Sequence, residues 1–254
     1  MRDQLFEAIK GHDVEYVDIR VEDLVNTWVI FRGSDLDSIG SSLTRGGIVR
    51  ALYKGGWGYA TFNDLGDLKK QVREACLTAK LVGSGKTYFA PTEVVVDCIK
   101  AELIKDFRQV PLADKKALME AYNKIVLGYH EKIQTSIVRY ADSFKSVWFA
   151  SSEGTFIEEE VPDVNIYVGA TARDGDVVQK GFEAGGGADG YQSVEGFHEQ
   201  AATAAQKAVE LLSAPPVKGG KYTVITDQIM TGVFTHEAFG HLSESDFVYE
   251  NPQM

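Results

Sequence analysis

The sharpest chemistry in this 254-residue sequence lies near its end, at His236-Glu237-Ala238-Phe239-Gly240-His241 within THEAFGHLSESDF. Two histidines around a glutamate are the raw material of a zinc hydrolase: neutral imidazoles hold the metal, and a carboxylate beside it takes a proton from water. The spacing is HExxxH, one residue longer than the common HExxH. At about 100° per residue, histidines four apart on a helix diverge by about 40° and can share one ion, whereas five apart they diverge by about 140°. Convergence therefore needs a local widening toward i→i+5 bonding, or a helix break, and Gly240 makes either cheaper. A π-like turn or helix end is expected, with Glu237 near the ion as general base and not as ligand. Glu244 and Asp246 are candidates to orient a ring N–H from outside the ligand set, against the simpler role of a solvated face.

Other motifs are weaker. Gly83-Ser84-Gly85-Lys86-Thr87 resembles a phosphate loop, but Lys80 stands where the first glycine should, and a helix precedes it where a strand is required. Gly185, Gly187 and Gly190 satisfy GxGxxG without a helix opening directly after them, so a structural turn is the better reading. His12, His130 and His198 are scattered, which suits surface or capping roles. Glu158-Glu159-Glu160 reads as a solvated strand end.

The elements that must position the motif read as α+β. Leu5, Phe6 and Ile9 define a short amphipathic helix over 3–10, stopped by Gly11. Alternation over 14–21, a β-branched and aromatic run over 27–31, and GIVRALYKGGWGYATF over 47–62, broken at Gly55-Gly56, predict an antiparallel meander. Amphipathic helices follow over 65–82 and 112–130, with a strand at 93–99 between them; Leu118, Met119, Tyr122, Ile125 and Val126 form the packing stripe of the second helix. Further strands are expected over 133–140, 146–150, 155–160 and 164–172, then an alanine-rich helix over 194–212 ending at Pro215-Pro216. PPVKGG at 215–220 marks a boundary, which divides the chain into an N-terminal α+β domain over 1–214 and a second segment over 219–254. That segment has a strand over 222–226 and the motif helix over 228–242, too little to bury a core of its own.

Composition narrows the class. With 44% hydrophobic and 25% charged residues the chain is globular. Its 26 Lys and Arg against 37 Asp and Glu, a net charge of −11, argue against nucleic-acid binding. No run approaches the roughly 20 apolar residues of a membrane span, and the charged start lacks the apolar core of a signal peptide. Cys76 and Cys98, outside any CxxC, are expected to be buried thiols in a reducing compartment, which makes the cytoplasm the default location.

Four segments in the same order, GGIVRALYKGGWGYATF, SSEGT at 151–155, GFEAGGGADGY at 181–191 and THEAFGHLSESDF, resemble the TldD/PmbA family of cytoplasmic metalloproteases. The resemblance implies a zinc peptidase acting on small or unfolded peptides, with His236 and His241 as metal ligands, Glu237 as catalytic base, and Zn2+ as cofactor. It also implies a homodimer, or a heterodimer with a PmbA/TldE-type subunit that lacks the motif; this chain, having it, is similar to the catalytic TldD type. Family members are longer and take their third zinc ligand from a cysteine far down a β-rich C-terminal domain, to which nothing here corresponds. The expectation is accordingly a truncated member holding two of three ligands, or, as the alternative, a non-catalytic scaffold subunit that associates with a full-length relative.

Overall fold

The computed structural model describes residues 1–251 and 253, with 248 and 249 described by backbone alone. In chain order the elements are α1 (Arg2–Ile9), β1 (Tyr16–Arg32), β2 (Asp35–Tyr53), β3 (Gly56–Phe62), α2 (Leu68–Val82), β4 (Val96–Ile99), α3 (Leu112–Gly128), β5 (Ile133–Ser151), β6 (Phe156–Asp174), β7 (Val177–Gly187), α4 (His198–Leu211), α5 (Gln228–Thr235) and α6 (Ser245–Glu250). They divide into two compact units, Met1–Ala214 and Pro215–Met254.

All seven strands belong to one sheet in the first unit. The order is β3-β2-β1-β5-β6, with β4 and β7 both pairing β6. Every pairing is antiparallel except β4 with β6. Alternation sets which face is covered. Along β1, Val17, Ile19, Val21, Val29 and Phe31 are buried and share one face. Helices cover that face in two patches. At one end α1 and α2 bring Leu5, Ile9, Val72, Ala75 and Ala79 onto Val17, Ile19 and Val49. At the other, Met119, Tyr122 and Val126 of α3 and the alanines 201, 204, 205 and 208 of α4 pack on Val138, Ile166 and Val168. Small residues let these helices come close. A Cβ on Gly58 of β3 would stand 2.0 Å from the Ala75 carbonyl oxygen of α2, and one on Gly181 of β7 would stand 2.2 Å from that of Ala204 in α4.

Among the described residues one ion pair is buried on both sides. Lys115 of α3 and Asp142 of β5 are 2% and 3% exposed, and the Lys115 ammonium donates to the Asp142 carboxylate. Tyr140 donates its hydroxyl to the same carboxylate at 2.6 Å, so the buried charge is both paired and hydrogen-bonded.

The α+β reading holds, and the strands are longer than the pattern suggested. The runs at 14–21 and 27–31 are one strand, as are 133–140 with 146–150 and 155–160 with 164–172. The last of these crosses Pro162. β4 pairs only Phe156–Glu159 of β6 and β7 only Val164–Asp174, so the proline falls where β6 is locally an edge and a missing N–H is tolerated. β7 lies outside the strand ranges expected above. The helix expected from residue 194 starts later: a 3-10 turn covers Tyr191–Val194, Gly196 adopts φ +75°, and α4 begins at His198.

Two expectations are corrected. Cys76 is buried but Cys98 is exposed, because all four residues of the short edge strand β4 face solvent. Residues 222–226 form no strand: among the described residues none pairs with them, and a lone strand leaves its backbone bonds to water. Ile225 is 97% exposed.

Candidate metal centre

The second unit carries the motif. Helix α5 opens on Asp227, whose side chain accepts from the Met230 N–H at 2.8 Å, an N-cap that the Asp before a hydrophobic run announces. The helix runs to Thr235 and then widens. His236–Gly240 is a π turn, closed by the His241 N–H donating to the His236 carbonyl five residues back. A 3-10 turn at His241–Ser243 and helix α6 follow.

Widening brings the two rings together. Their centroids are 4.5 Å apart at an interplanar angle of 69°. One ligating atom from each of His236, Glu237 and His241 lies within 4.8 Å of the others. Gly240 enters the turn at φ −56°, an ordinary helical value, and a Cβ there would meet the His236 ring only at 3.5 Å. Its contribution is therefore backbone pliancy and neither a left-handed φ nor free space.

The two nitrogens of His241 have different partners. Glu244 takes Nδ1 at 2.7 Å, while Nε2 faces the Glu237 carboxylate at 3.7 Å. The Glu244 hydrogen bond, aided by the Glu237 and Glu244 charges, raises the His241 pKa above the usual imidazole value. With its proton on Nδ1 and held by Glu244, His241 turns the Nε2 lone pair toward the cluster, the arrangement that carboxylates impose on metal-binding histidines. Asp246 does something else: its carboxylate accepts from the Phe247 N–H at 2.9 Å.

Two imidazoles and one carboxylate fit a zinc ion by donor chemistry and reach. As a catalytic ligand set they are one short, since three protein ligands are usual and Glu237 would serve as base. The cluster is exposed, with Glu237 at 65% and His241 at 48%.

The remaining sequence candidates are structural. Gly83–Thr87 leads out of α2 into irregular chain, with the Gly85 N–H on the Lys54 carbonyl at 2.7 Å. Gly190, at φ +128°, lies so near the Lys105 backbone that a Cβ would stand 2.5 Å from its carbonyl. His130 accepts from the Lys132 N–H at 3.0 Å, and His198 meets the edge of Tyr122 with centroids 4.9 Å apart.

Comparison with known proteins gives these features a lineage. Residues 17–80 match the family model described as PmbA/TldA metallopeptidase domain 1, and residues 105–212 match that of the PmbA/TldA metallopeptidase central domain. Both models describe domains of one metallopeptidase family, and in this chain those residues build a long-stranded α+β sheet. The chain belongs to the PmbA/TldD family. Among its relatives, Metalloprotease slr0863 of Synechocystis sp. is 42% identical over 94% of this chain and 52% of that protein. Metalloprotease MJ0996 of Methanocaldococcus jannaschii is 30% identical over 93% and 53%, and the Zinc metalloprotease TldD homolog of Saccharolobus solfataricus 24% identical over 95% and 54%. The chain spans about half the length of the curated relatives it matches. Among solved structures, a Bacteroides thetaiotaomicron protein described as a suggested modulator of DNA gyrase superposes with a TM-score of 0.80 at 17% identity, over 95% of this chain and 56% of that one. TldE of Thermococcus kodakarensis gives 0.63 at 16% over 81% and 47%. Both likenesses are of fold. Neither family-model match extends past residue 212, so both stop before the HExxxH motif.

Proposed function

We propose that the chain carries the metal-binding segment of a zinc-dependent peptidase of TldD type, hydrolysing peptide bonds in small or unfolded peptides. The observation that carries this reading is the approach of His236, Glu237 and His241 across the π turn. His236 and His241 would hold the ion. Zinc, when bound, supplies Lewis acidity toward a peptide carbonyl and toward water. Glu237 then accepts the proton of the attacking water at its carboxylate and returns it to the leaving amine. Glu244 keeps the His241 proton on Nδ1, so that Nε2 stays free for the metal.

On this reading residues 219–254 begin a metallopeptidase domain, and residues 1–214 form the α+β domain that shapes the substrate channel and meets a partner subunit, a second copy or a PmbA/TldE-type chain. The name of one relative, a zinc metalloprotease, supports the choice of metal. No helix among the described residues is long and apolar enough to cross a membrane, and two free thiols suit the reducing cytoplasm.

A second reading follows from the ligand count. With two imidazoles, the chain could be a non-catalytic scaffold that associates with a full-length relative. Zinc uptake separates the two. The chain at micromolar zinc should bind one ion that the His236→Ala variant does not. Equal metal content in the two proteins would remove the metal reading and leave the scaffold.

A further inference from the structure

Two of the segments that carry the family resemblance, GGIVRALYKGGWGYATF and SSEGT, meet at a cavity that the histidine motif does not use. Its volume is about 370 Å³, and Tyr16, Arg50, Trp57, Phe89 and Glu153 are among its walls. All belong to the first unit. Strand pairing assembles one side: Tyr16 lies against Leu52 and Asp18 against Arg50, and Leu52 in turn lies against Trp57. Phe89 comes from the irregular chain between α2 and β4. That stretch is tied down at both ends, by the Gly85 N–H on the Lys54 carbonyl at 2.7 Å and the Phe156 N–H on the Val95 carbonyl at 2.8 Å. The chain thus supplies the third aromatic wall itself. Glu153 stands in the turn between β5 and β6, which Gly154 at φ +102° and its N–H on the Ser151 carbonyl hold in place.

The three rings stand as walls around a common space. Centroids of Tyr16 and Phe89 are 5.0 Å apart at 65°, those of Trp57 and Phe89 5.7 Å at 56°, and those of Tyr16 and Trp57 6.2 Å at 79°, so no pair is stacked. Arg50 is fixed among them. Its Nε and Nη2 donate to the Asp18 carboxylate at 3.0 and 2.7 Å, and its guanidinium lies 5.7 Å from the Trp57 centroid. The Asp18 side chain is 1% exposed and that of Arg50 44%, so a buried carboxylate orients a guanidinium whose Nη1 has no partner among the described residues. Glu153 likewise has neither ion pair nor hydrogen bond there. We propose that this cavity binds a free aromatic α-amino acid, with its carboxylate on Arg50, its ammonium on Glu153 and its ring between Tyr16, Trp57 and Phe89. An acid without an amine would leave Glu153 facing an anion, and an amine without an acid would leave the Nη1 donors unmet; a zwitterion answers both. A pocket of this volume lies in the range of small-molecule sites. None of His236, Glu237 and His241 takes part, so the inference stands or falls apart from the metal reading.

Calorimetric titration of the full chain with L-phenylalanine tests this. One molecule should bind per chain. L-Phenylalaninamide, which lacks the carboxylate, N-acetyl-L-phenylalanine, which lacks the ammonium, and L-alanine, which lacks the ring, should each bind about tenfold more weakly or worse. Two variants on exposed positions separate the contributions without threatening the fold. Phe89→Ala, at a ring 46% exposed, should weaken L-phenylalanine roughly three- to tenfold. Glu153→Gln should erase the preference for L-phenylalanine over its N-acetyl form. Arg50→Lys, which keeps a cation beside Asp18, should weaken L-phenylalanine and leave the amide unchanged. No binding at ~10 mM, equal affinity for L-phenylalanine and either blocked form, or indifference to both Phe89→Ala and Glu153→Gln would overturn the proposal. Tighter binding of the dipeptide L-alanyl-L-phenylalanine than of L-phenylalanine would also overturn it, since the ligand would then be a peptide and not a free amino acid.

Discussion

His236 and His241 stand five residues apart in the chain, yet their ring centroids are 4.5 Å apart, because the His241 N–H bonds to the His236 carbonyl in a π turn. A regular helix would point the same two rings away from each other by about 140°. The geometry of the candidate site thus depends on one widened turn, and on the carboxylates that flank it.

Glu244 should matter to metal binding although it is no ligand. Its hydrogen bond to His241 Nδ1 sets the ring's tautomer. Glu244→Ala is expected to weaken zinc affinity about 10–100-fold, whereas Asp246→Ala, whose carboxylate serves the Phe247 N–H, should leave it unchanged. Competition with a chromophoric zinc chelator measures both.

Glycines that admit a helix onto the sheet should be intolerant of even one methyl group. Gly58→Ala and Gly181→Ala would drive a Cβ to 2.0 and 2.2 Å from backbone oxygens of α2 and α4. Each should cost about 1–3 kcal/mol, with Tm falling roughly 2–4 °C per kcal/mol. Gly128→Ala is the control, since a Cβ at that end of α3 meets nothing within 4 Å and should be neutral or slightly stabilising.

Removing one member of the buried ion pair should be worse than removing both. Asp142→Ala leaves the Lys115 ammonium, 3% exposed at the side chain, without its counter-ion and is expected to cost about 3–5 kcal/mol. The double variant Lys115→Met with Asp142→Leu should recover much of that loss in urea unfolding. Equal stability of the single and double variants would show that the pair is not coupled.

Stability should fall at both ends of the pH scale for separate reasons. Burial, and then the neighbouring Asp142 carboxylate, push the Tyr140 pKa above its ordinary value of 10.0. The native state therefore binds this proton more tightly than the unfolded chain, so the contribution is fully present below pH 10 and declines as pH rises beyond it. Lys100 beside Glu158 and Arg108 beside Asp106 lower those carboxyl pKa values, so their contribution is present above the ordinary values of 4.5 and 3.8 and is lost as pH falls through the shifted ones. Urea midpoints across pH should show both limbs, and Tyr140→Phe should flatten the alkaline one.

Local signals were strong where a feature depends on residues near in sequence. The stripes Leu5-Phe6-Ile9 and Leu118-Met119-Tyr122-Ile125-Val126 mark helices because a turn repeats every 3.6 residues whatever surrounds it. The five-residue histidine spacing demanded an irregular turn for the same reason, and one is present at His236–Gly240. The four family segments likewise needed no structure to be recognised.

Features that rest on distant partners were illegible. Lys115 is polar in every sequence pattern, and its burial depends on Asp142, 27 residues away. Pro162 ends a strand by rule, yet β6 runs through it, because the paired stretches of β4 and β7 leave its edge open there. Cys98 has the composition of a core strand and lies on an exposed edge, since among the described residues only β6 pairs with β4.

The sequence by itself therefore determined the element types, the family and the position of the histidine motif, all of them properties of neighbouring residues. Tertiary structure alone decided which strands fuse and which thiol is buried. Those depend on distances through space between residues far apart in the chain, and hydrogen-bond partners and burial are set there.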